Sequence, residues 1–301
     1  MATTTQSLAS LPVEPEPIRS SGRDRASAPR RRGLLLRHVV LAAMAALTIV
    51  PVLLAVSTAL KNDEDVRVDP FGFFTSFSLD SLRQAWTEGN FDNYLVNSVL
   101  LSVPSTLLII AVSTMAGYTF ARLPFFGRTV LFYLVVLGLL VPFFTYMIPL
   151  YFQLRSVGLL DTLGGAILVL TSVGVSFGTF FMRAFFSDLP NELEQAARVD
   201  GASEWQIFLR VMMPLVTSGM GALAVFTFLQ NWNNFLVPLL YLPGGNYRPL
   251  TTGLYLFLGG RSIDIGPLAA GTLITIVPVI VLFIALQRQV TEGFLSGAVK
   301  G

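Results

Sequence analysis

Six stretches of the chain run apolar and free of charged side chains for the length of a membrane crossing: residues 39–60, 93–121, 129–154, 162–182, 211–247 and 265–287. A helix needs about 20 such residues to traverse roughly 30 Å of hydrocarbon. Within a bilayer the backbone must satisfy its own hydrogen bonds, which leaves helices or closed barrels. Barrel strands alternate apolar and polar positions, whereas residues 39–47 are apolar almost without interruption. The pattern predicts an all-α integral membrane protein with six transmembrane helices, the spans lying near 39–60, 95–120, 130–152, 163–182, 216–240 and 266–287. The third and fifth runs exceed one crossing, so their ends are expected at the interface or in loops. Thr145 and Tyr146, between Pro142 and Pro149, mark a kink in the third.

Polar stretches set the orientation. Residues 1–33 are rich in Ser, Pro, Ala and Arg and read as a disordered basic tail. The run at 39–60 is too long for the apolar core of a cleaved signal and reads as a retained helix. With the N-terminus placed in the cytoplasm, 14 Lys and Arg residues fall inside and 6 outside. This excess predicts a multi-pass plasma-membrane protein with both termini cytoplasmic. The outer segment 61–92 carries seven acids against three bases and several aromatics, among them Phe71, Phe73, Phe77 and Trp86. It reads either as a small folded cap or as an interfacial loop with aromatic anchors.

Composition narrows the chemistry. Hydrophobic residues make up 53% of the chain and charged ones 13%, against roughly 25% charged in an average globular protein. There is no cysteine and a single histidine, His38, at the predicted cytoplasmic interface. Thiolate metal sites and disulfides are excluded, no metal site is expected, and His38 reads as a lipid headgroup contact. A net charge of +2 gives no reason to expect nucleic acid. No G-x-x-x-x-G-K-S/T pattern occurs, so P-loop binding of ATP is not expected.

The informative loop is 187–215, between the fourth and fifth spans. Asp188 is placed to cap a helix with Pro190 in its first turn, and Glu192 and Glu194 sit where the helix dipole favours acids. Gly201 can take positive φ and end that helix. Ser203 and Gln206 form an S-x-x-Q capping box for a second helix, and Pro214 precedes the fifth span.

This segment resembles the EAA loop of ABC importer permeases, whose pattern is Glu-Ala-Ala, three residues, Gly, nine residues, Ile, one residue, Leu-Pro. The matching positions are Gln195-Ala196-Ala197, Gly201, Val211, Met213 and Pro214, with Gln195, Val211 and Met213 departing in type but not in spacing. Residues 196–203, the Gln230–Phe235 segment and the terminal Gly-Ala-Val-Lys-Gly resemble the carbohydrate-uptake branch that includes maltose permeases. The resemblance covers roughly 34–301 and implies the ABC importer permease (MetI-like) fold. It implies that 187–215 docks as a coupling helix on a cytoplasmic ATPase, with Glu194, Gln195, Ala196, Ala197, Asp200, Gly201 and Pro214 as the coupling positions. When ATP closes the ATPase dimer, the spans would switch from inward- to outward-facing.

The partners so implied are a second homologous permease, two ATPase subunits, an extracytoplasmic solute-binding protein and membrane lipid. The chain itself would bind no cofactor, ATP and Mg residing on the ATPase, and would have no catalytic residue. A di- or oligosaccharide is the expected solute, with another small polar solute such as glycerol phosphate as the alternative.

Polar groups inside spans are costly and often line a path. Gln230, Asn231, Trp232 and Asn234, with Asn97 as a weaker candidate, are therefore read as pathway residues or as interhelical hydrogen-bonding groups. A stand-alone secondary transporter would be expected to show internal repeats and intramembrane charge, and a membrane enzyme convergent catalytic groups. Neither pattern is present in the six runs.

Overall fold

A computed structural model describes residues 31–73, 76–256 and 264–298. Residues 1–30 of the tail and the last three residues of the C-terminal motif lie outside them, whereas residues 31–33, read from composition as the end of a disordered tail, are the first turn of a helix continuous with the first apolar run. The described residues are helical with short connections. The helices are α1 (Arg31–Ala59), α2 (Asp63–Val68), α3 (Asp80–Thr87), α4 (Phe91–Arg122), α5 (Arg128–Leu137), α6 (Phe143–Ser156) and α7 (Leu163–Ser187). They are followed by α8 (Glu192–Val199), α9 (Glu204–Leu215), α10 (Thr217–Trp232), α11 (Leu236–Tyr241), α12 (Leu250–Leu256) and α13 (Ile265–Ala298).

The chain divides after Val50. The described part of the first unit is the N-terminal portion of α1, whose Thr48 hydroxyl donates to the Met44 carbonyl one turn back. The rest of the fold belongs to the second unit.

Four helices are individually long and apolar enough to cross a membrane, at Arg37–Ala59, Phe91–Arg122, Leu163–Ser187 and Ile265–Ala285. A fifth crossing results if α9 and α10 count together, although they meet at a 75° bend. The third apolar run is divided rather than continuous. It forms α5 and α6, separated at Gly138–Pro142, where Pro142 in extended conformation precedes α6. Proline removes a donor and clashes with a preceding helical turn, which accounts for a break there. The fifth run also breaks, at residues 233–235, between α10 and α11.

The central packing is α4 against α7. The buried face of α4 is rich in small and hydroxylic residues, Ser102, Ser105, Thr106, Ser113, Thr114 and Gly117, set between the larger Leu101, Ile109 and Tyr118. Without a hydrophobic drive between helices in lipid, close backbone approach through small residues supplies the contact. A β-carbon at Gly117 would lie 2.7 Å from Met182 Cβ and 2.9 Å from the Arg183 nitrogen. Gly165 also has no room for one, pressed against the Leu159 carbonyl, whereas Gly164 faces open space. Near the other end of α7, the Arg183 guanidinium lies 4.0 Å over the Phe132 ring and holds α5 in place.

The 61–92 segment is folded, at least over its described residues. Lys61 is fully buried, and its ammonium donates to the carbonyls of Asp69 at 2.9 Å and Gly72 at 2.6 Å. Thr58 donates to Pro70 O and Ser57 to Gly72 O, fastening the loop to the last turn of α1. Phe71, Phe73 and Phe77 remain exposed around this frame. Lys61→Met should destabilise the protein by about 1–3 kcal/mol, because two partly buried carbonyls lose a charged donor. Thermal unfolding in detergent checks this, and an unchanged midpoint would refute the role given to Lys61.

Candidate functional site

The loop between α7 and α10 starts differently from the sequence expectation. Asp188 does not cap a new helix. It ends α7, its own N–H still donating to Ala184 O in the helical manner. The reason is Pro190, which disfavours helical conformation at Leu189. The next helix therefore begins only at Glu192, with Asn191 as its N-cap residue and no side-chain cap of its own.

On α8, Glu194 is buried, Ala197 is half-buried, and Gln195, Ala196, Val199 and Asp200 face outward. Val199 is 87% exposed and Leu193 also lies on the surface. The helix thus presents a small apolar patch to whatever lies beyond it. Its inner side packs on a cluster of Tyr118, Met182, Phe186, Ile207, Phe208 and Met212.

The end of α8 is a complete Schellman motif. Gly201 N–H donates to Arg198 O at 3.1 Å and Ala202 N–H to Ala197 O at 3.0 Å. Gly201 has φ of +80°, the left-handed conformation the motif requires. Ser203 then opens α9 with the expected capping box, its hydroxyl accepting from Gln206 N–H while the Gln206 side chain accepts from Ser203 N–H. α9 contains a π-helical stretch, Ile207–Met212. Pro214 is exposed in its last turn, just before the bend at Val216.

One residue that entered the sequence reading only as a counted charge stands at the centre of this site. Arg122, the last residue of α4, has an enclosed side chain and directs its guanidinium into the loop. Its Nε donates to Phe186 O at 2.9 Å and lies 3.7 Å from Glu194 Oε1. Its Nη atoms donate to Phe186 O, Leu189 O and Asn191 Oδ1. A cation at a helix C-terminus is a recognisable signal, but its partners lie more than 60 residues away. Arg198 flanks the other Glu194 oxygen at 3.5 Å and donates to Glu204 at 2.8 Å. That hydrogen bond holds the Glu204 carboxyl below the usual carboxylate range.

The span amides have definite partners. Asn231 is buried and donates to Thr106 Oγ1 on α4 at 3.1 Å. Trp232 donates to Thr275 O on α13 and stacks on Phe228. Asn234 accepts from Val237 N–H at the start of α11. Asn97 donates to the carbonyls of Asn246 and Arg248. Gln230 is exposed. The structure therefore does not gather these five around one cavity. It uses Asn231 and Trp232 to join α10 to its neighbours.

The family described as "Binding-protein-dependent transport system inner membrane component" matches residues 109–291. The chain is 32% identical over 277 residues to the diacetylchitobiose uptake system permease protein NgcG of Streptomyces coelicolor, covering 91% of this chain and 92% of that one. It is 31% identical over 271 residues to the lactose transport system permease protein LacG of Rhizobium radiobacter, covering 90% and 98%. Among solved structures, a bacterial ABC transporter involved in the import of the acidic polysaccharide alginate aligns with a TM-score of 0.78 at 20% identity, over 87% of this chain and 98% of that one.

Proposed function

The chain belongs to the inner membrane components of binding-protein-dependent ABC transporters, and from that premise we propose that it forms half of a translocation path for a di- or oligosaccharide. A chain of this family is a transport subunit and is not itself catalytic. The named solutes of its relatives, diacetylchitobiose and lactose, support a sugar.

Residues 187–215 are the coupling segment, and the outward face of α8 docks on a cytoplasmic ATPase. The observation that carries this is the division of α8 into a buried inner side and a surface of Leu193, Ala196 and Val199. A groove on another protein would cover that surface. The complete assembly comprises a second homologous permease, two ATPase subunits and an extracytoplasmic binding protein.

The crossing count is six, with α5 and α6 forming one broken span. Their 10 and 14 residues extend ~15 and ~21 Å at the helical rise of 1.5 Å per residue, together enough for about 30 Å of hydrocarbon. Both termini are cytoplasmic. Single cysteines at Asp63 and Arg198, both exposed, should accordingly react with an impermeant maleimide from opposite sides. Reaction from one side would remove the coupling reading.

The assembly itself is tested by purification through a tag on this chain. An ATPase and a second permease should accompany it in stable amounts. Recovery of the chain alone, active in transport without any ATPase, would contradict the proposal.

A further inference from the structure

We propose that Arg122 is the positioning residue through which movement of α8 reaches the membrane-spanning helices. The proposal rests on the coupling reading above and names the joint on which that coupling depends.

The acceptors of Arg122 belong to three successive parts of the chain. Phe186 O lies in the last turn of α7, Leu189 O in the connecting turn and Asn191 Oδ1 at the start of α8, where the Glu194 carboxylate faces Arg122 Nε at 3.7 Å as a charge partner and not as a hydrogen-bond acceptor. Arg122 itself ends α4. One guanidinium therefore joins two spans to the coupling helix. Phe186 O, a carbonyl of the last turn of α7 that also accepts from Leu189 N–H at 3.3 Å, receives two of its N–H groups. The side chain of Asn191, which could have capped α8, is used to accept from Arg122 instead.

The ion pair is enclosed. The side chains of Arg122 and Glu194 are 5% and 6% exposed. Separating the buried guanidinium from its acceptors and from the facing carboxylate leaves its N–H groups and its charge uncompensated in a medium of low polarity, which opposes any independent movement of α8. Glu194 has a second cation, Arg198, but that side chain is 41% exposed, and pairs in water contribute little. The stiff connection therefore runs through Arg122 and not through Arg198. It continues upward because α4 and α7 pack backbone to backbone at Gly117. α4, α7 and α8 should then move as one body when an ATPase pulls on α8.

The planar five-donor fork is what makes this possible. A lysine ammonium supplies the charge but not donors in the directions of three separate acceptor groups. Arg122→Lys is thus the decisive conservative variant, and E194Q removes the ion pair while leaving the carbonyl contacts.

The test uses the complete transporter, purified through this chain and carrying nitroxide labels at exposed Val112 on α4 and at exposed Glu192 on α8, outside the docking residues Leu193, Ala196 and Val199. Pulsed electron resonance reads their separation without nucleotide and with ATP trapped by vanadate. In the wild type the separation should be the same in both states. In Arg122→Lys and Arg122→Ala it should shift or broaden on trapping, because α8 follows the ATPase while α4 stays behind, and E194Q should show a smaller shift. A variant whose only defect was in folding would lower recovery without making the separation depend on nucleotide.

A nucleotide-dependent separation in the wild type overturns the proposal, as does a rigid one in Arg122→Lys. If Arg122→Ala is not recovered from the membrane, Arg122→Lys and E194Q decide by the same criterion. A wild-type chain that binds no ATPase would refute the coupling reading itself, a result visible before any distance is measured.

Discussion

Gly201→Val should leave the protein in the membrane and reduce both solute uptake and binding-protein-stimulated ATP hydrolysis by about tenfold or more. Gly201 sits at φ +80° as the left-handed residue of the Schellman motif that ends α8. No atom lies within 4 Å of where its β-carbon would be, so the penalty comes from the backbone alone. A β-branched residue in that conformation costs on the order of 1–3 kcal/mol, and about 1.4 kcal/mol is a tenfold change in an equilibrium. The strain is relieved by letting the motif open, which releases the bonds from Gly201 N–H to Arg198 O and from Ala202 N–H to Ala197 O. α8 would then leave the angle at which it is presented, while the spans keep their packing.

Gly201→Asn provides the control, since asparagine tolerates the left-handed region far better than valine. It should retain most activity. E204Q should also do little, because Glu204 pairs with Arg198 on the surface and such pairs contribute about 0–1 kcal/mol. The measurements are uptake and stimulated ATP hydrolysis in a reconstituted complex, each normalised to membrane abundance. Normal transport by Gly201→Val would reduce the turn to a linker. Equal loss in Gly201→Asn and Gly201→Val would show that the absent side chain, not the left-handed backbone, is what matters.

Gly117→Val should abolish accumulation of the protein, an effect on folding and not on coupling. A β-carbon there meets Met182 Cβ at 2.7 Å and the Arg183 backbone nitrogen at 2.9 Å. The side chain of Met182 could rotate aside, but its β-carbon and the neighbouring backbone cannot, so α4 and α7 must separate. Overpacking a tight interface typically costs about 1–3 kcal/mol and sometimes more, and the demand here falls on the principal helix pair of the fold. Gly164→Ala is the matched comparison. It lies in the first turn of the same α7, its β-carbon would meet nothing within 4 Å, and alanine favours the helix by up to about 1 kcal/mol. Immunoblotting of membranes and size-exclusion profiles in detergent read the difference. Wild-type abundance of Gly117→Val would mean that the two helices are not held at the separation described.

The local features of the coupling segment were legible in the residues because their causes are local. The capping box at Ser203 and Gln206 needs partners three positions apart, and the Schellman turn at Gly201 spans six consecutive residues. The apolar runs were equally legible, since crossing a bilayer is a demand on length and composition. The expectation at Asp188 failed although it too was local. Two signals competed there, an N-cap residue and an unfinished apolar helix, and the helix continued until the residue before Pro190 stopped it.

What the chain by itself determined is therefore the helical membrane class, the runs from which the spans are built and the turn that terminates α8. Each follows from burying apolar length in lipid or from hydrogen bonds within a few residues. Only the tertiary structure decided that Arg122 holds α8, that Asn231 binds Thr106, that Trp232 binds Thr275 and that Asn97 secures the turn at Asn246. An amide or a guanidinium has donors in several directions, and its sequence neighbours do not specify the acceptor. The acceptor is selected when helices distant in sequence pack together and leave a polar atom facing another that must also be satisfied.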